Sequence, residues 1–217
     1  MLKTFCNKNL LEAGVDEAGR WPLFGRVYTA AVIIPPDETF HQKFIKDSKK
    51  LSEKNREFAF EFIKEHAIDW RVHYKDEKYI DTNNIYNATF DCMHGSLNNL
   101  IVKPEYLLID GSEFQLWTQD DKIIPHKCVV KGDNLYASIA SASILAKVSR
   151  DNYIKDMCKK YPKLDEYYNL SKNKGYGTRE HMEGIKRYGI SPWHRKSFWI
   201  CGQSKINKAF LNWYKLY

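Results

Sequence analysis

The sequence predicts an α/β fold, and three observations lead to that class. Short apolar runs typical of strands alternate with amphipathic segments typical of helices along the 217 residues. The hydrophobic content of 43% is ordinary for a folded protein, so the chain can bury a sizeable core. The sequence contains no repeats and no long linker, so we expect a single domain over residues 1–217.

Five segments have the composition or the alternation of strands. The first two are apolar runs joined by a Gly/Pro turn, the third alternates large side chains with polar ones, and the fourth is a buried run that ends in Asp-Gly. The fifth is a short extended segment before a glycine and an acid. The predicted strands are residues 11–17, 26–34, 69–74, 105–110 and 127–133.

Four segments have the periodicity or composition of helices. They are residues 52–67, 83–101, 136–161 and 177–189. Ser52 and Thr178 are good N-cap residues for the first and the last of them. One face of the first helix is expected to carry Phe58, Phe62 and Ile63.

The long helix predicted over 136–161 begins with small side chains. Such residues more often permit close packing of a helix on a sheet than bind a ligand, and we expect that role here. The residues concerned are Ala137, Ser138, Ala140, Ser141 and Ala142.

The charge of the chain is concentrated near its end. Residues 155–217 contain 14 basic and 5 acidic side chains, whereas residues 1–154 contain 20 basic and 22 acidic ones. A basic segment with interleaved aromatic residues is typical of a surface that faces a polyanion such as nucleic acid. The alternative is a solvated lysine-rich face, and charge alone does not separate the two.

Cysteine usage and hydropathy bear on the compartment. The five cysteines are odd in number, scattered, and never at the spacing of a metal site, which favours reduced thiols over disulfides or zinc ligands. The N-terminal residues do not have the apolar core of a signal peptide, and the longest apolar stretch is far shorter than a membrane span. We therefore expect a cytoplasmic protein without a membrane partner.

Three acids follow predicted strands. Asp16 ends the first strand, Asp110 ends the fourth, and Asp133 follows the fifth. Ligand chemistry in α/β sheets gathers beyond the carboxyl ends of strands, so these acids, with Glu17 beside Asp16, are candidates for one cluster. Clustered carboxylates repel unless a cation neutralises them, and hard divalent ions such as Mg²⁺ or Mn²⁺ suit oxygen ligands.

A cluster of four acids can hold two such ions about 4 Å apart, the arrangement used for phosphodiester cleavage. Each acid taken alone is better explained as a turn former or a helix cap. Asp133, for example, could cap the helix that starts near Tyr136.

Five sequence blocks then occur in a recognisable order. They are GVDEAGR, DSKKLSEK, LLIDG, VVKGD followed by SIASASILAKVSRD, and NKGYGTREH, and together they extend from about residue 13 to 198. In this order they resemble type 2 ribonucleases H (ribonuclease HII). The resemblance covers nearly the whole chain, and five blocks in register are much more specific than any one of them.

The resemblance implies a ribonuclease H-like α/β fold, with a central mixed sheet flanked by helices and a helical C-terminal extension over about 155–217. It implies a metal-dependent endonuclease that cuts the RNA strand of RNA·DNA hybrids and nicks duplex DNA 5′ of embedded ribonucleotides, leaving a 3′-hydroxyl and a 5′-phosphate. The matching positions make Asp16, Glu17, Asp110 and Asp133 the catalytic, metal-binding acids, with two Mg²⁺ or Mn²⁺ ions bound during catalysis.

The resemblance also implies how the substrate is recognised. The backbone of a Gly-Arg-Gly turn approaches the ribose 2′-hydroxyl in this family, and a tyrosine stacks on the neighbouring deoxyribose. The corresponding residues here are Gly19, Arg20, Trp21 and Tyr176. Lys49, Lys50 and Lys174 are further candidates for phosphate contacts, although loop lysines are commonly only solvated.

Trp21 departs from the family pattern, which has glycine at this position. Glycine permits a positive φ and a close approach to the substrate, and an indole restricts both. Either the side chain turns away and leaves the backbone contacts intact, or the turn is reshaped. We take the second as our hypothesis, so that incision at single ribonucleotides suffers more than cleavage of long hybrids.

Two other classes of function remain as alternatives. One is another metal nuclease of the same fold, such as a relative of the resolvases, and the other is a non-catalytic nucleic-acid binding module. His181 and His194 are weaker candidates for proton transfer, and the stretch WHRKSF around His194 suits phosphate contact. We expect a monomer, and the last residues, 203–217, contain none of the blocks quoted above.

Overall fold

The computed structural model describes residues 2–36, 40, 45 and 51–214. The strands are β1 (Glu12–Ala18), β2 (Val27–Ile33), β3 (Asp69–Lys75), β4 (Tyr106–Asp110), β5 (Thr118–Gln119), β6 (Lys122–Ile123) and β7 (His126–Val129). Five of them form one sheet in the order β3-β2-β1-β4-β7, while β5 and β6 form a separate antiparallel pair. β1 is antiparallel to β2 and parallel to β4, and β4 is parallel to β7. The predicted α/β fold with a mixed central sheet is therefore confirmed.

The helices follow the predicted order, with additional short ones near the end. They are α1 (Glu53–His66), α2 (Glu77–Asn98), α3 (Ala137–Lys160), α4 (Lys163–Tyr168), α5 (Leu170–Asn173), α6 (Arg179–Tyr188), α7 (Trp199–Gly202) and α8 (Leu211–Tyr214). The caps of α1 and α6 are as expected, because Ser52 accepts from the N–H of Asn55 and Thr178 accepts from that of His181.

The chain divides into two compact units. The first, here called the sheet unit, comprises residues 1–18, 28–74 and 89–149, and the second, the helical unit, comprises residues 19–27, 75–88 and 150–217. Each unit is made of several separate chain segments. The segment 19–27 is a short insertion between β1 and the remainder of β2, and it belongs to the helical unit.

The sheet unit has an apolar cluster on each face of the sheet. Alternate residues of β2 point to opposite faces, as expected for a strand. Ala30 and Val32 pack with residues of α1 and α3, whereas Ala31 and Ile33 pack with the last turns of α2 and with the odd-numbered residues of β1 and β4. The face that carries α3 is therefore the face to which the even-numbered side chains of β1 and β4 point.

The helical unit has its own core, formed by residues of the 19–27 segment, α3 to α7 and the tail. Its buried members include Phe24, Tyr168, Ile185 and Trp193. The tail continues into a 3₁₀ turn over Lys208–Phe210, whose Phe210 is buried in the same cluster. The C-terminal part of the protein is thus helical, as expected.

Three local expectations differ from the structure. Phe58 is exposed, because the buried stripe of α1 runs through Ala59, Phe62 and Ile63, one position later than predicted. α2 begins before the predicted residue 83 and is interrupted at Asn84, whose positive φ of 61° separates two helical pieces. The strand predicted over 127–133 ends at Val129, and a 3₁₀ turn follows it.

Two findings bear on the environment of the protein. All five cysteines lie among the described residues and are free thiols, as the sequence predicts. In the part of the chain that the structure describes, no helix combines the length and the apolar character needed to cross a bilayer.

Candidate active site

Asp16 and Asp110 are neighbours at one rim of the sheet. The parallel pairing of β1 with β4 places Val15 opposite Ile109, and each aspartate is the next residue of its strand. Adjacent strands lie about 4.8 Å apart, and residues in register point to the same face. Both carboxylates therefore lie at the carboxyl ends of parallel strands and face α3.

Close packing of α3 on β1 depends on Gly14. A Cβ atom added at Gly14 would lie 2.2 Å from the carbonyl carbon of Ser138 and 2.4 Å from the backbone nitrogen of Ile139, where no atom fits. Gly14 therefore lets the backbone of α3 approach β1 two residues before Asp16. The expected packing role of the small residues at the start of α3 is confirmed.

Asp133 lies in a 3₁₀ turn over Gly132–Asn134, directly before α3. The N–H of Gly132 donates to Oδ1 of Asp110 over 2.6 Å, so this turn is tied to the end of β4. Asp133 is 2% exposed, and Nδ2 of Asn134 donates to its Oδ1 over 2.9 Å. The structure thus brings Asp16, Asp110 and the turn of Asp133 to one rim of the sheet unit.

The electrostatics of this rim are unfavourable for the ionised acids alone. Burial raises the pKa of Asp16 well above its usual value, and the neighbouring carboxylates of Glu17 and Asp110 raise it further. A hydrogen bond from the Ser143 side chain and one from the N–H of Glu17 act in the opposite direction and are the smaller effects. Asp16 is therefore an acid that a bound cation would stabilise in its charged form.

The chemistry of these residues fits a hard divalent cation, because every candidate ligand is a carboxylate oxygen. Among the described residues, however, no three acidic, histidine or cysteine side chains are arranged to hold one metal ion. Two of the carboxylate oxygens, Oδ1 of Asp16 and Oδ1 of Asp110, accept from backbone N–H groups instead. The assignment of Asp16, Glu17, Asp110 and Asp133 as metal ligands stays a prediction.

The predicted substrate-binding turn lies in the helical unit. Gly19 has a φ of 95°, so glycine is required there, whereas Trp21 is not among the described residues with positive φ. The Trp21 side chain is 75% exposed. The Arg20 guanidinium lies 5.7 Å from the Trp21 ring and 5.8 Å from the Tyr86 ring, measured to the centroids. The indole therefore points outward and is not wedged into the fold.

The other predicted contacts have different surroundings. Tyr176 is 40% exposed, and the Arg150 guanidinium lies 5.8 Å from its ring centroid. Nζ of Lys174 donates to the carbonyl of Ser171, which occupies one of its donors. Lys49 and Lys50 lie outside the described residues.

The interpretation of His194 as a phosphate contact is wrong, because both His194 and Arg195 are fully buried. Nδ1 of His181 lies 2.9 Å from the carbonyl of Tyr176, and its Nε2 lies 3.0 Å from Nε2 of His194. Nδ1 of His194 accepts from the N–H of Ser191.

These contacts are consistent only with two neutral rings, His181 carrying its proton on Nδ1 and His194 on Nε2. Burial accordingly lowers the pKa of His181 to about 4 and that of His194 well below its usual value.

Sequence reasoning missed four residues around these sites: Ser143, Tyr86, Arg150 and Arg195. Ser143 belongs to a run of small residues whose evident role is packing, so its hydrogen bond to Asp16 has no local signal. Arg195 follows His194 in the stretch that was interpreted as surface. Arg150 and Arg195 have no local signal either, because the turn that they contact is distant from them in the sequence.

Comparison with known proteins agrees with this geometry. The family profile described as Ribonuclease HII matches residues 13–201. A ribonuclease HII of Bacteroides thetaiotaomicron is 44% identical over 210 residues, which cover 97% of this chain and all of that protein.

Solved structures share the fold. The crystal structure of ribonuclease H2 from Pyrococcus horikoshii has a TM-score of 0.71 at 25% identity and covers 88% of this chain and 95% of its own. A crystal structure of Bst-RNase HIII in complex with Mn²⁺ has a TM-score of 0.60 at 19% identity, covering 89% of this chain and 68% of its own. The profile and the high identity over full length show that the chain belongs to the ribonuclease HII family, whose members are hydrolytic nucleases of the ribonuclease H type.

Proposed function

We propose that the protein hydrolyses the RNA strand of RNA·DNA hybrids and incises duplex DNA 5′ of embedded ribonucleotides, leaving a 3′-hydroxyl and a 5′-phosphate. The observation that carries the proposal is the rim at which Asp16 and Asp110 end adjacent parallel strands in a member of the ribonuclease HII family. Phosphodiester cleavage at such a rim needs acids that hold cations, and it needs no side-chain nucleophile.

Asp16, Glu17, Asp110 and Asp133 are the residues that would hold two divalent ions, Mg²⁺ or Mn²⁺. When bound, such ions lower the pKa of a coordinated water and neutralise charge on the phosphate. Such ions would stabilise the charged form of the buried Asp16 carboxyl group, which also accepts a hydrogen bond from the Ser143 side chain. The N–H of Gly132 orients Asp110 in the same way. The Mn²⁺ in the structure of ribonuclease HIII supports testing both ions.

The helical unit would supply recognition of the ribose. The backbone of the Gly19–Arg20–Trp21 turn would contact the 2′-hydroxyl, the only group that distinguishes a ribonucleotide from DNA at the site. Tyr176, whose ring is partly exposed, would stack on the neighbouring sugar. The exposed Trp21 ring would offer a stacking face, and Lys174, with Lys49 and Lys50, would contact phosphates.

A cleavage assay on three end-labelled substrates tests the proposal: a long RNA·DNA hybrid, a DNA duplex with one ribonucleotide, and an all-DNA duplex. We expect cleavage of the first two in Mg²⁺ or Mn²⁺, none in EDTA, and products that carry 3′-hydroxyl and 5′-phosphate ends. Asp110→Asn serves as the inactive control that excludes a contaminating nuclease.

Each unexpected outcome has a definite meaning. Cleavage of the all-DNA duplex or of branched DNA would favour a resolvase-like nuclease instead. Binding of the hybrid without cleavage in either metal would favour a non-catalytic module. Cleavage of the hybrid alone would restrict the proposal to hybrid hydrolysis and remove the part concerning single ribonucleotides.

A further inference from the structure

Arg195 is a fully buried arginine whose guanidinium hydrogen-bonds to the turn that follows β1. Its Nη2 donates to the carbonyl of Gly19 over 2.6 Å, its Nη1 to that of Arg20 over 3.0 Å, and its Nε to that of Gly25 over 2.8 Å. The side chain is 0% exposed. One planar group thus holds both ends of the turn through three nitrogens at fixed relative positions.

Arg150 supports the same segment from a second position. It is 1% exposed, and its Nη2 donates to the carbonyl of Phe24 and its Nε to that of Arg26, over 3.2 and 3.3 Å. Its Nη1 donates to the carbonyl of Lys174 over 2.9 Å, in the block that also contains Tyr176. The two candidate recognition elements of the helical unit therefore hydrogen-bond to one side chain.

Space around the turn is also restricted. A Cβ atom added at Gly19 would lie 2.2 Å from Nε of Arg150, so the backbone passes against the guanidinium. Two backbone hydrogen bonds also hold this segment. The N–H of Leu23 donates to the carbonyl of Gly175, and the N–H of Arg195 donates to the carbonyl of Leu23. The segment therefore has little freedom to adopt another conformation.

This arrangement is costly if its only purpose is stability. Burial, together with the nearby charge of Arg150, lowers the pKa of Arg195 to about 9, although Glu77, Tyr153 and Asp81 act in the opposite direction. The group stays charged at neutral pH, and its guanidinium donates three hydrogen bonds to neutral carbonyl oxygens. Because an apolar side chain would remove the three hydrogen bonds to the carbonyls of Gly19, Arg20 and Gly25, the buried charge is coupled to one defined conformation of this turn.

We propose that Arg195, assisted by Arg150, is a positioning residue that fixes the Gly19–Gly25 turn in the conformation that contacts the ribose. The inference rests on the proposed function, since it assigns the turn that role in substrate selection. It predicts that loosening the turn affects incision at a single ribonucleotide more than cleavage of a long hybrid. A long hybrid contains many ribonucleotides, so a turn with a less defined conformation can still contact one of them in a position that allows cleavage.

Arg195→Lys is the decisive variant, because it keeps the charge but removes the planar, three-nitrogen fork. Arg179→Lys is the matched control, since that side chain is exposed and forms an ion pair with Glu183 on its own helix. Circular dichroism and thermal unfolding establish that each variant is folded. The conformation of the turn is followed without substrate by ¹⁹F NMR of protein labelled with 5-fluorotryptophan, with the Trp21 signal assigned through Trp21→Phe.

We expect Arg195→Lys to shift or broaden the Trp21 signal and to lower kcat/KM on the single-ribonucleotide duplex by about tenfold or more, since small misplacements cost this much. On the long hybrid we expect a loss of no more than about threefold. Arg179→Lys should leave the signal and both rates at wild-type values. A folded Arg195→Lys with an unchanged Trp21 signal and an unchanged ratio of the two rates overturns the inference.

A second variant keeps the inference testable if Arg195→Lys does not fold. Arg150→Lys leaves the three bonds of Arg195 in place, and we expect a smaller change in the same direction; a wild-type ratio and signal in this folded variant would overturn the inference. Failure of the proposed function has a different signature, because wild-type protein would then cleave neither substrate. The NMR measurement would still report whether Arg195 fixes the turn.

Discussion

The sheet unit and the helical unit differ in charge and in how they bury it. The sheet unit contains 15 basic and 18 acidic side chains, whereas the helical unit contains 19 basic and 9 acidic ones. The sheet unit buries Asp16 next to other acids, and the helical unit buries Arg150 and Arg195 against carbonyl oxygens. On the proposed function, the acids of the net negative unit would hold the cations, and the net positive unit would contact the polyanionic substrate.

Not all basic side chains of the helical unit lie at its surface. Both arginines, of which Arg195 belongs to the basic segment 155–217, are buried, so they contribute neither to a solvated basic face nor to a surface that contacts a polyanion. Their charge acts on the backbone of a turn, and only the remaining basic side chains are available for phosphate contacts. A count of charges therefore overestimates the surface that a nucleic acid can use.

The largest effect is expected from removing an acid of the sheet unit. Asp110→Asn should lower the rate of hybrid cleavage by about a thousandfold or more, because an amide lacks the negative charge that a divalent ion requires. Asp121→Asn is the control, since Asp121 is exposed in a turn with a φ of 61°, which asparagine tolerates. Activity of Asp110→Asn within about tenfold of wild type would exclude Asp110 from the site.

Acid should destabilise the helical unit through its buried histidines. The pKa of His181 is about 4 in the folded state and near 6.5 when unfolded, so the unfolded state takes up the proton first as the pH falls. The contribution of the neutral His181 ring to the free energy of unfolding is therefore present above about pH 6.5 and is lost as the pH falls towards 4. The full pKa shift corresponds to a loss of about 3 kcal/mol. Glu77 in the same unit opposes this trend, because burial raises its pKa.

Thermal unfolding between pH 7.5 and 4, in the absence of metal, measures this decrease, and NMR titration of the histidine ring protons assigns it. Two of the seven histidines should remain neutral well below pH 6. Titration of all seven near pH 6.5 would contradict the neutral pair. Asp16 in the sheet unit has the opposite sign: its raised pKa makes its charged form a cost that is relieved as the pH falls.

A smaller effect, on stability, is expected at Asp16 of the sheet unit. Asp16→Asn should raise the free energy of unfolding of the metal-free protein by about 1 kcal/mol, because it removes a buried charge next to Glu17 and Asp110. Addition of Mg²⁺ should raise the melting temperature of the wild type but not that of the variant. Destabilisation by Asp16→Asn in metal-free buffer would show that the charge is compensated by the fold itself.

The smallest effect is expected at Trp21. If the indole reshapes the turn, Trp21→Gly should raise incision at a single ribonucleotide relative to hybrid cleavage, by no more than about threefold. The effect should be small because the side chain points outward and Gly19, not Trp21, has the positive φ. The same two substrates measure the ratio, and an identical ratio in both proteins would remove Trp21 as a determinant of specificity.

Features that depend on residues close together in the sequence could be predicted, whereas features that depend on distant residues could not. Apolar runs that end in an acid are local, and so the strands of Asp16 and Asp110 and their common rim were found. The cap residues Ser52 and Thr178 were found for the same reason. Periodicity alone does not resolve a shift of one residue in the buried stripe of α1, which explains the error at Phe58. It also does not resolve the kink at Asn84, which explains why the start of α2 was predicted too late.

The support of the turn was beyond such reasoning. Gly19 and Arg195 are 176 residues apart, and nothing near either residue indicates the other. A fully buried arginine also contradicts the general expectation that such side chains are exposed. The family resemblance indicated which residues of the turn matter, but the groups that hold the turn became evident only from the hydrogen bonds of the folded chain.

Gly14 carries a consequence for anyone who mutates this protein systematically. It has no functional group, yet the smallest possible side chain there would collide with the backbone of the helix that begins just after Asp133. In a mutational scan for activity, every substitution at position 14 would therefore be as damaging as substitution of the candidate catalytic acids. A map of such scores would include a residue whose contribution is the space it leaves empty.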